Sequence, residues 1–140
     1  MEDRITLKEA EKFHGHLGSW LVLGILAGEL ALRKMRYKKY FDLEIKVWGA
    51  KRKPKSCLID GLQLSTGATY GKGNIKKIDG KKTQVLFCNL KGNKKIKLFL
   101  RENLIKRLNS LKGHRDSESF AKELYKTNPI KIFNLTTKNL

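Results

Sequence analysis

One apolar segment, residues 17–32, restricts the possible folds of this 140-residue chain more than any other feature. The segment is shorter than the ~20 apolar residues that cross a bilayer, and it contains Ser19 and Glu29. A helix with so few polar residues must be covered on most of its surface. We therefore expect a buried helix over about residues 18–36 in a soluble protein without a membrane span.

Small residues recur in this predicted helix at spacings of three and four, so they share one face. They are Gly24, Ala27, Gly28 and Ala31. Small side chains let another backbone approach closely, and we expect this face to pack tightly on a sheet. The same face would suit a contact between two subunits, so a homodimer is also expected.

The segments on either side of this helix alternate between helical and strand patterns. Thr6 and Glu9 form a capping-box pattern for a first short helix that ends near Phe13. Residues 43–48 alternate apolar and polar side chains, as a half-buried strand does, whereas residues 57–65 have helical spacing.

The second half of the chain predicts three more strands and two more helices. Asp79-Gly80 is a hairpin signal between the first two of these strands. The order of elements indicates an α+β fold, with a mainly antiparallel sheet packed with helices, in a single domain over residues 1–140. The strands are expected at residues 75–78, 83–90 and 95–100 and the helices at residues 102–111 and 117–125, while the tail from residue 131 is weakly specified.

The two cysteines, Cys57 and Cys88, are too few for a disulfide framework. Residues 1–4 show no secretory-signal pattern. We therefore expect reduced thiols and a cytoplasmic protein. A free cysteine is more often a small core side chain than a functional group.

The formal net charge is +18, from 31 Lys and Arg against 13 Asp and Glu. Such a charge attracts polyanions, nucleic acid among them. The lysines are spread along the chain rather than gathered in one tail. That distribution favours a lysine-rich composition or an acidic protein partner over nucleic acid.

Two of the three histidines, His14 and His16, flank Gly15 at the junction of two predicted helices. Side chains two positions apart diverge on a continuous helix, but a bend at Gly15 would let both imidazoles face one point. A neutral imidazole is a common metal ligand. The alternative is that one ring only caps or packs at the helix end.

Cys57 and Asp60 lie one turn apart at the start of a predicted helix. Helix N-termini lower thiol pKa values, so a thiolate at Cys57 is expected if this cysteine is functional. Asp60 could orient a histidine by accepting its second ring proton. The alternative is a buried thiol beside an ordinary helix carboxylate.

Residues 67–74 form a glycine-rich loop that contains Lys72. The loop departs from the P-loop pattern because only three residues separate Gly67 from Gly71, and Gly73 replaces the magnesium-binding Ser or Thr. It could cradle an anion with backbone N–H groups, or it could be a tight turn before a strand.

These three segments, in this order, resemble the FmdE-like family, which takes its name from one of the subunits of formylmethanofuran dehydrogenase. That family pairs F-H-G-H-[LC] with C-x-x-D-[AG]-[IL]-Q and T-G-C-T-x-G-K-G-N, which match residues 13–17, 57–63 and 66–74 here. The resemblance covers about residues 10–100 as the motif-bearing core, and it leaves the C-terminal helices, about residues 102–126, outside it.

The resemblance implies a mixed sheet of about four strands. It also implies a site for a divalent metal, of the zinc type, where the segment with His14 and His16 meets the predicted helix that starts at Cys57. The implied ligands are His16 and Cys57, with His14 as a further candidate. Many relatives have cysteine where this chain has Ala68. If that cysteine is a ligand, this chain has at most three protein ligands, and it then either binds the metal more weakly or leaves one position open for water or a substrate atom.

Three functions follow as expectations. The resemblance implies a metal-binding accessory subunit that has no active centre of its own and contacts the other subunits of formylmethanofuran dehydrogenase. That dehydrogenase is an oxidoreductase of archaeal methanogenesis. The alternative is a small independent metalloenzyme, in which Asp60 assists proton transfer and Lys72 holds an anionic substrate. The third is a basic nucleic-acid-binding protein, for which residues 37–41 are the one cluster that interleaves lysines with aromatic side chains.

Overall fold

The computed structural model describes residues 4–36 and 38–137. Tyr37 lies outside the described residues, as do residues 1–3 and 138–140, so the aromatic cluster at residues 37–41 is described from residue 38 onward. The elements in chain order are α1 (Leu7–His14), α2 (Ser19–Met35), β1 (Leu43–Trp48), α3 (Cys57–Thr66), β2 (Ile75–Ile78), β3 (Gln84–Asn89), β4 (Lys95–Leu100), α4 (Glu102–Ser110), α5 (Gly113–Tyr125), a 3-10 helix (Pro129–Lys131) and β5 (Phe133–Thr136).

The strands form one mixed sheet in the order β2-β1-β3-β4-β5. β1 and β2 are parallel, and the other three pairs are antiparallel. The predicted α+β class is confirmed, but the sheet has five strands rather than about four. The missed strand is β5, which pairs Leu135 with Leu98. Phe133 is its one fully buried residue, so no alternation of apolar and polar side chains marked it as a strand.

The hairpin predicted at Asp79-Gly80 is wrong, because β1 lies between β2 and β3. After β2 the chain crosses the end of β1, where Gly49 has a φ of 71°. The Gly49 N–H donates to the Ile78 carbonyl at 3.3 Å, and Thr83 Oγ1 donates to the Gly49 carbonyl at 3.0 Å. A two-residue turn would have paired β2 directly with β3, and β1 could then not lie between them.

The apolar segment forms α2, and twelve of its residues are buried. Its small-residue face packs on α3 rather than on the sheet, which corrects the expectation from sequence. A Cβ at Gly24 would collide with the Leu58 carbonyl oxygen, and one at Gly28 would collide with the Ser65 hydroxyl. This face is therefore filled within one chain and gives no reason to expect a homodimer. Among the described residues, no helix has the length and apolar content that crossing a membrane requires.

Polar contacts fix α1 and α5 against α2. The capping box predicted at the start of α1 is present. Before it, the Arg4 guanidinium makes two hydrogen bonds of 2.9 Å to Glu29 of α2 and lies 3.9 Å from the centroid of the Tyr125 ring on α5. At the start of α2, the Ser19 N–H donates to Ser117 Oγ of α5 at 2.9 Å. The Arg4 contacts tie the segment before α1 to α2 and to the end of α5, and the Ser19–Ser117 contact holds the beginnings of α2 and α5 together.

Candidate metal centre

The His14 and His16 rings lie on the same side of the turn between α1 and α2. α1 ends at His14 because Gly15 follows in a left-handed conformation, with a φ of 105°. The bend brings the two ring centroids to 4.8 Å. Two imidazoles that share one zinc ion have centroids about 5 Å apart. The spacing of this pair is thus compatible with a shared ion.

Asp60 of α3 contacts His14, so the turn that carries His14 and His16 meets the helix that begins at Cys57, as the family resemblance implied. The distance from His14 Nδ1 to Asp60 Oδ2 is 2.6 Å, and the His14 side chain is 11% exposed. Its other ring nitrogen, Nε2, is buried and has no hydrogen-bond partner. With Nδ1–H donated to the carboxylate, Nε2 presents a lone pair that nothing in the described chain satisfies.

Cys57 begins α3 one turn before Asp60 and is half-buried. Burial raises the pKa of its thiol, the negative charge of Asp60 raises it further, and Lys53 opposes both. This corrects the expectation that the helix N-terminus would yield a thiolate. Without a metal, Cys57 is a protonated thiol at neutral pH, and binding to a cation would have to displace its proton.

Replacing Asp60 with asparagine should lower the pKa of Cys57, because the second-largest cause of its elevation is removed. We expect the metal-free variant to react with iodoacetamide at least about twofold faster at pH 7.5, since only the thiolate is the nucleophile. Mass spectrometry of the alkylated peptides measures the rate. Cys88 is the internal control, because its pKa is raised by burial and by Glu44, not by Asp60. Equal acceleration at both cysteines would indicate loosened packing instead.

The third histidine, His114, belongs to the same cluster, although no sequence motif connects it with His14 and His16. Its ring centroid lies 5.6 Å from that of His16. Together with Leu17, Arg115 and Glu118, these two histidines line a surface cavity of about 360 Å³. The predicted start of α5 at residue 117 was too late. The helix begins at Gly113, where the Lys112 N–H donates to Asp116 Oδ2 at 2.9 Å. No local pattern signals a contact between segments so distant in sequence.

Lys72 and Ala68 lie at the opposite end of α3 from Cys57. The C-cap of α3 is Gly67, and Lys72 Nζ donates to its carbonyl at 2.8 Å. At 1.5 Å per residue, Asp60 and Gly67 are about 10 Å apart along the helix. The structure therefore does not bring Lys72 to the His14–Asp60 pair. Ala68, the position where relatives have cysteine, is buried beyond the same end, so a thiol there would not reach a cation bound at Cys57.

Side chains of the glycine-rich loop and of α3 accept hydrogen bonds from several of the loop's backbone N–H groups, as in a structural turn. The Thr69 N–H donates to Asn74 Oδ1, and the Lys72 N–H donates to Thr69 Oγ1, each at 3.0 Å. The Tyr70 N–H donates to Gln63 Oε1 at 3.2 Å. Because these groups are occupied, the arrangement supports the tight turn rather than an anion cradle.

In residues 4–36 and 38–137, no three His, Cys, Asp or Glu side chains are arranged to hold one metal ion as they stand. The cluster instead offers one buried imidazole with an unsatisfied nitrogen, with the His16 ring beside it and Cys57 one turn before its partner Asp60. His16 is exposed and Cys57 is half-buried, so both side chains can adopt other rotamers. The donor types, imidazole and thiol, are those that zinc prefers.

Comparisons with known proteins point to one family. A family model described as "FmdE, Molybdenum formylmethanofuran dehydrogenase operon" matches residues 13–137. The fold is similar to the crystal structure of a tungsten formylmethanofuran dehydrogenase FmdE-like protein from Syntrophus aciditrophicus, with a TM-score of 0.70. That match has 20% sequence identity and covers 96% of this chain and 70% of the other. No curated protein matches the chain. Since the matched structure is bacterial, the fold is not restricted to archaea.

Proposed function

The chain belongs to the FmdE family, and from this premise we propose that it is a metal-binding accessory subunit of formylmethanofuran dehydrogenase, or a homologue of that subunit. The cofactors of other subunits would carry out the redox chemistry. The contribution of this chain is to bind a divalent cation, zinc by donor type, and to present a surface to its partners. The expected setting is one-carbon metabolism of the kind found in methanogens.

A single observation carries the metal part of the proposal: His14 Nε2 is buried and has no partner. A buried nitrogen without a hydrogen bond is unfavourable by about 1–3 kcal/mol, and coordination to a cation removes that penalty. We assign the cation to His14, with His16 and Cys57 completing the protein ligands. Bound there, a divalent metal supplies positive charge and Lewis acidity.

Asp60 has a positioning role in this proposal. Its carboxylate accepts the proton of His14 Nδ1, which selects the tautomer with the lone pair on Nε2 and fixes the orientation of the ring. The Gln63 amide lies 3.5 Å from the other oxygen of the carboxylate and holds it from the next turn of α3. The orientation and tautomer of His14 are thus fixed in the metal-free protein.

An exposed apolar patch supports the accessory role. Tyr40 and Phe41 are 54% and 71% exposed, and Leu90, whose N–H donates to the carbonyl of Asp42, is 56% exposed. Lys72 Nζ lies 5.4 Å from the centroid of the Phe41 ring, so a cation borders the patch. Large exposed aromatic side chains with a polar border are typical of contacts with another protein. We assign this patch to a dehydrogenase subunit.

Affinity capture of the tagged chain, co-expressed with dehydrogenase subunits, tests both parts of the proposal. We expect at least one dehydrogenase subunit to co-purify and elemental analysis to give about one zinc per chain. Phe41→Ser should reduce the recovered partner about tenfold, because an aromatic anchor is lost from the interface. The matched control is Ile130→Ser, which removes a residue that is 49% exposed elsewhere on the surface.

Recovery of a partner tests the accessory role, and zinc content tests the metal site, so the two parts of the proposal can fail separately. Zinc without any partner would contradict the accessory role and favour an independent metalloenzyme. A partner without metal would contradict the cation site and leave a purely structural role. Equal losses of partner in Phe41→Ser and Ile130→Ser would remove the patch from the interface.

A further inference from the structure

The face of the sheet that points away from the core remains open to solvent. Along β1, β3 and β4 every second residue is buried, for example Ile45, Phe87 and Leu98. The residues between them point to the other face, and none of them is buried. We call this the outer face; it comprises Glu44, Lys46, Trp48, Lys76, Ile78, Gln84, Leu86, Cys88, Lys95, Lys97, Phe99, Asn134 and Thr136.

The strand register arranges the outer face in rows. One row carries lysines from three strands, because Lys46 pairs with Lys76 on one side and, through Leu86, aligns with Lys97 on the other. The neighbouring row carries Trp48 and, two strands away, Phe99. At 4.7–4.9 Å between strands, these two aromatic residues are about 10 Å apart.

The two rows are in contact with each other. Lys97 Nζ lies 5.2 Å from the centroid of the Trp48 ring, within the range of a cation–π interaction. Glu44 is the one acidic residue of the outer face, against four lysines. The face therefore combines aromatic surface with an uncompensated positive charge.

A basic connector extends this surface beyond the end of β1. Residues 51–55 follow Trp48 after two residues, contain four Lys or Arg, and are all exposed. With the end of β2 they line a cavity of about 530 Å³. Within that cavity, Asp79 makes an ion pair of 3.2 Å with Lys51, but the Asp79 side chain is 90% exposed and contributes little neutralisation.

We propose that the outer face and the basic connector bind single-stranded nucleic acid. Proteins that bind single strands without sequence preference combine cations that follow the phosphate backbone with aromatic side chains on which bases stack. The lysine row and the basic connector supply the cations, and Trp48 and Phe99 supply the aromatic rings for stacking. The sequence suggested a polyanion partner through charge alone, whereas the strand register gathers part of that charge beside aromatic rings.

Two other occupants fit this face less well. A second copy of the chain would place one lysine row against another, and like charges that meet across an interface are unfavourable. An acidic protein would satisfy the lysines, but acidic side chains would not use the partly exposed rings of Trp48 and Phe99 in the neighbouring row. Both occupants are distinguishable by experiment.

Fluorescence anisotropy with labelled single-stranded RNA and DNA of about 12 nucleotides tests the proposal, with a salt titration for each protein variant. We expect saturable binding whose logarithm falls linearly with the logarithm of salt concentration. Lys46→Gln/Lys97→Gln should reduce the magnitude of that slope by about 1.4, because each phosphate contact on a single strand contributes about 0.7. Lys8→Gln/Lys106→Gln is the matched control, since it removes the same charge from exposed helical positions.

The aromatic contribution is tested separately at Trp48. Trp48→Leu should weaken binding about tenfold or more, and Trp48→Phe should stay close to wild type, because phenylalanine retains a ring for stacking. Circular dichroism establishes that each variant is folded, and the lysine pair tests the same face even if Trp48→Leu does not fold.

Three results would overturn the proposal: no saturable binding to single strands at about 50 mM salt, equal slopes in the two lysine pairs, or tighter binding to polyglutamate than to oligonucleotide. Concentration-dependent dimerisation that Lys46→Gln/Lys97→Gln alters would assign the face to a second copy instead. Metal content is expected to stay unchanged in all these variants, so failure here is distinguishable from failure of the metal-binding proposal.

Discussion

Gly24→Ala is expected to lower the free energy of unfolding by about 3 kcal/mol, at the upper end of the range for overpacked cores. Helix propensity alone predicts the opposite sign, since alanine is better than glycine inside a helix by about 1 kcal/mol. The structure reverses that sign because the added Cβ would collide with the Leu58 carbonyl oxygen and come within 2.9 Å of Gly61 Cα. Both obstacles are backbone atoms of α3, which cannot rotate away as a side chain could.

Urea unfolding followed by circular dichroism measures this effect. Gly61→Ala provides the reciprocal test, because its Cβ would meet the Leu21 carbonyl oxygen of α2 and the Gly24 Cα at 2.8 Å. Gly71→Ala is the control: its Cβ would meet nothing closer than 3.7 Å, so we expect a change within about 0.5 kcal/mol. If Gly24→Ala proved more stable than wild type, α2 and α3 could not be in this close contact.

The same contact illustrates what the sequence could and could not predict about the fold. Spacing of small residues predicts that a backbone approaches one face of a helix, because that information is local. It does not say which element approaches, and here α3 occupies the face that we expected to meet the sheet. Likewise, Asp79-Gly80 has the composition of a hairpin turn, but the place of β1 between β2 and β3 is decided by long-range pairing.

The candidate site also contains features that local sequence patterns could predict and features that they could not. The bend at Gly15 could be anticipated from residue types at short spacing, whereas the meeting of the His14–His16 turn with the helix that carries Asp60 was implied only by the family resemblance. The approach of His114 could not be anticipated, because it depends on α5 docking against the start of α2 through Ser19 and Ser117. The raised pKa of Cys57 was also missed, because burial and the charge of Asp60 are properties of the folded chain.

Asp60→Asn is expected to weaken zinc binding by about 10–100-fold, the usual effect of removing the carboxylate that orients a histidine ligand. Asparagine is nearly isosteric, but its amide no longer provides a charge that favours the Nδ1–H tautomer of His14. His14→Ala should have a larger effect, since it removes the buried nitrogen itself. Competition against a chromogenic chelator measures the affinities, and elemental analysis gives the stoichiometry.

The matched control is Asp79→Asn, which makes the same change of charge at a carboxylate whose side chain is 90% exposed. Zinc affinity in that variant should equal that of wild type. We also expect affinity to fall as pH decreases, because protons compete with the cation for imidazole and thiol ligands. Cys57 sharpens this dependence, since its pKa is raised and the metal must displace the proton even at neutral pH. Equal affinities for Asp60→Asn and Asp79→Asn would mean that the carboxylate beside His14 serves only the packing of α1 on α3.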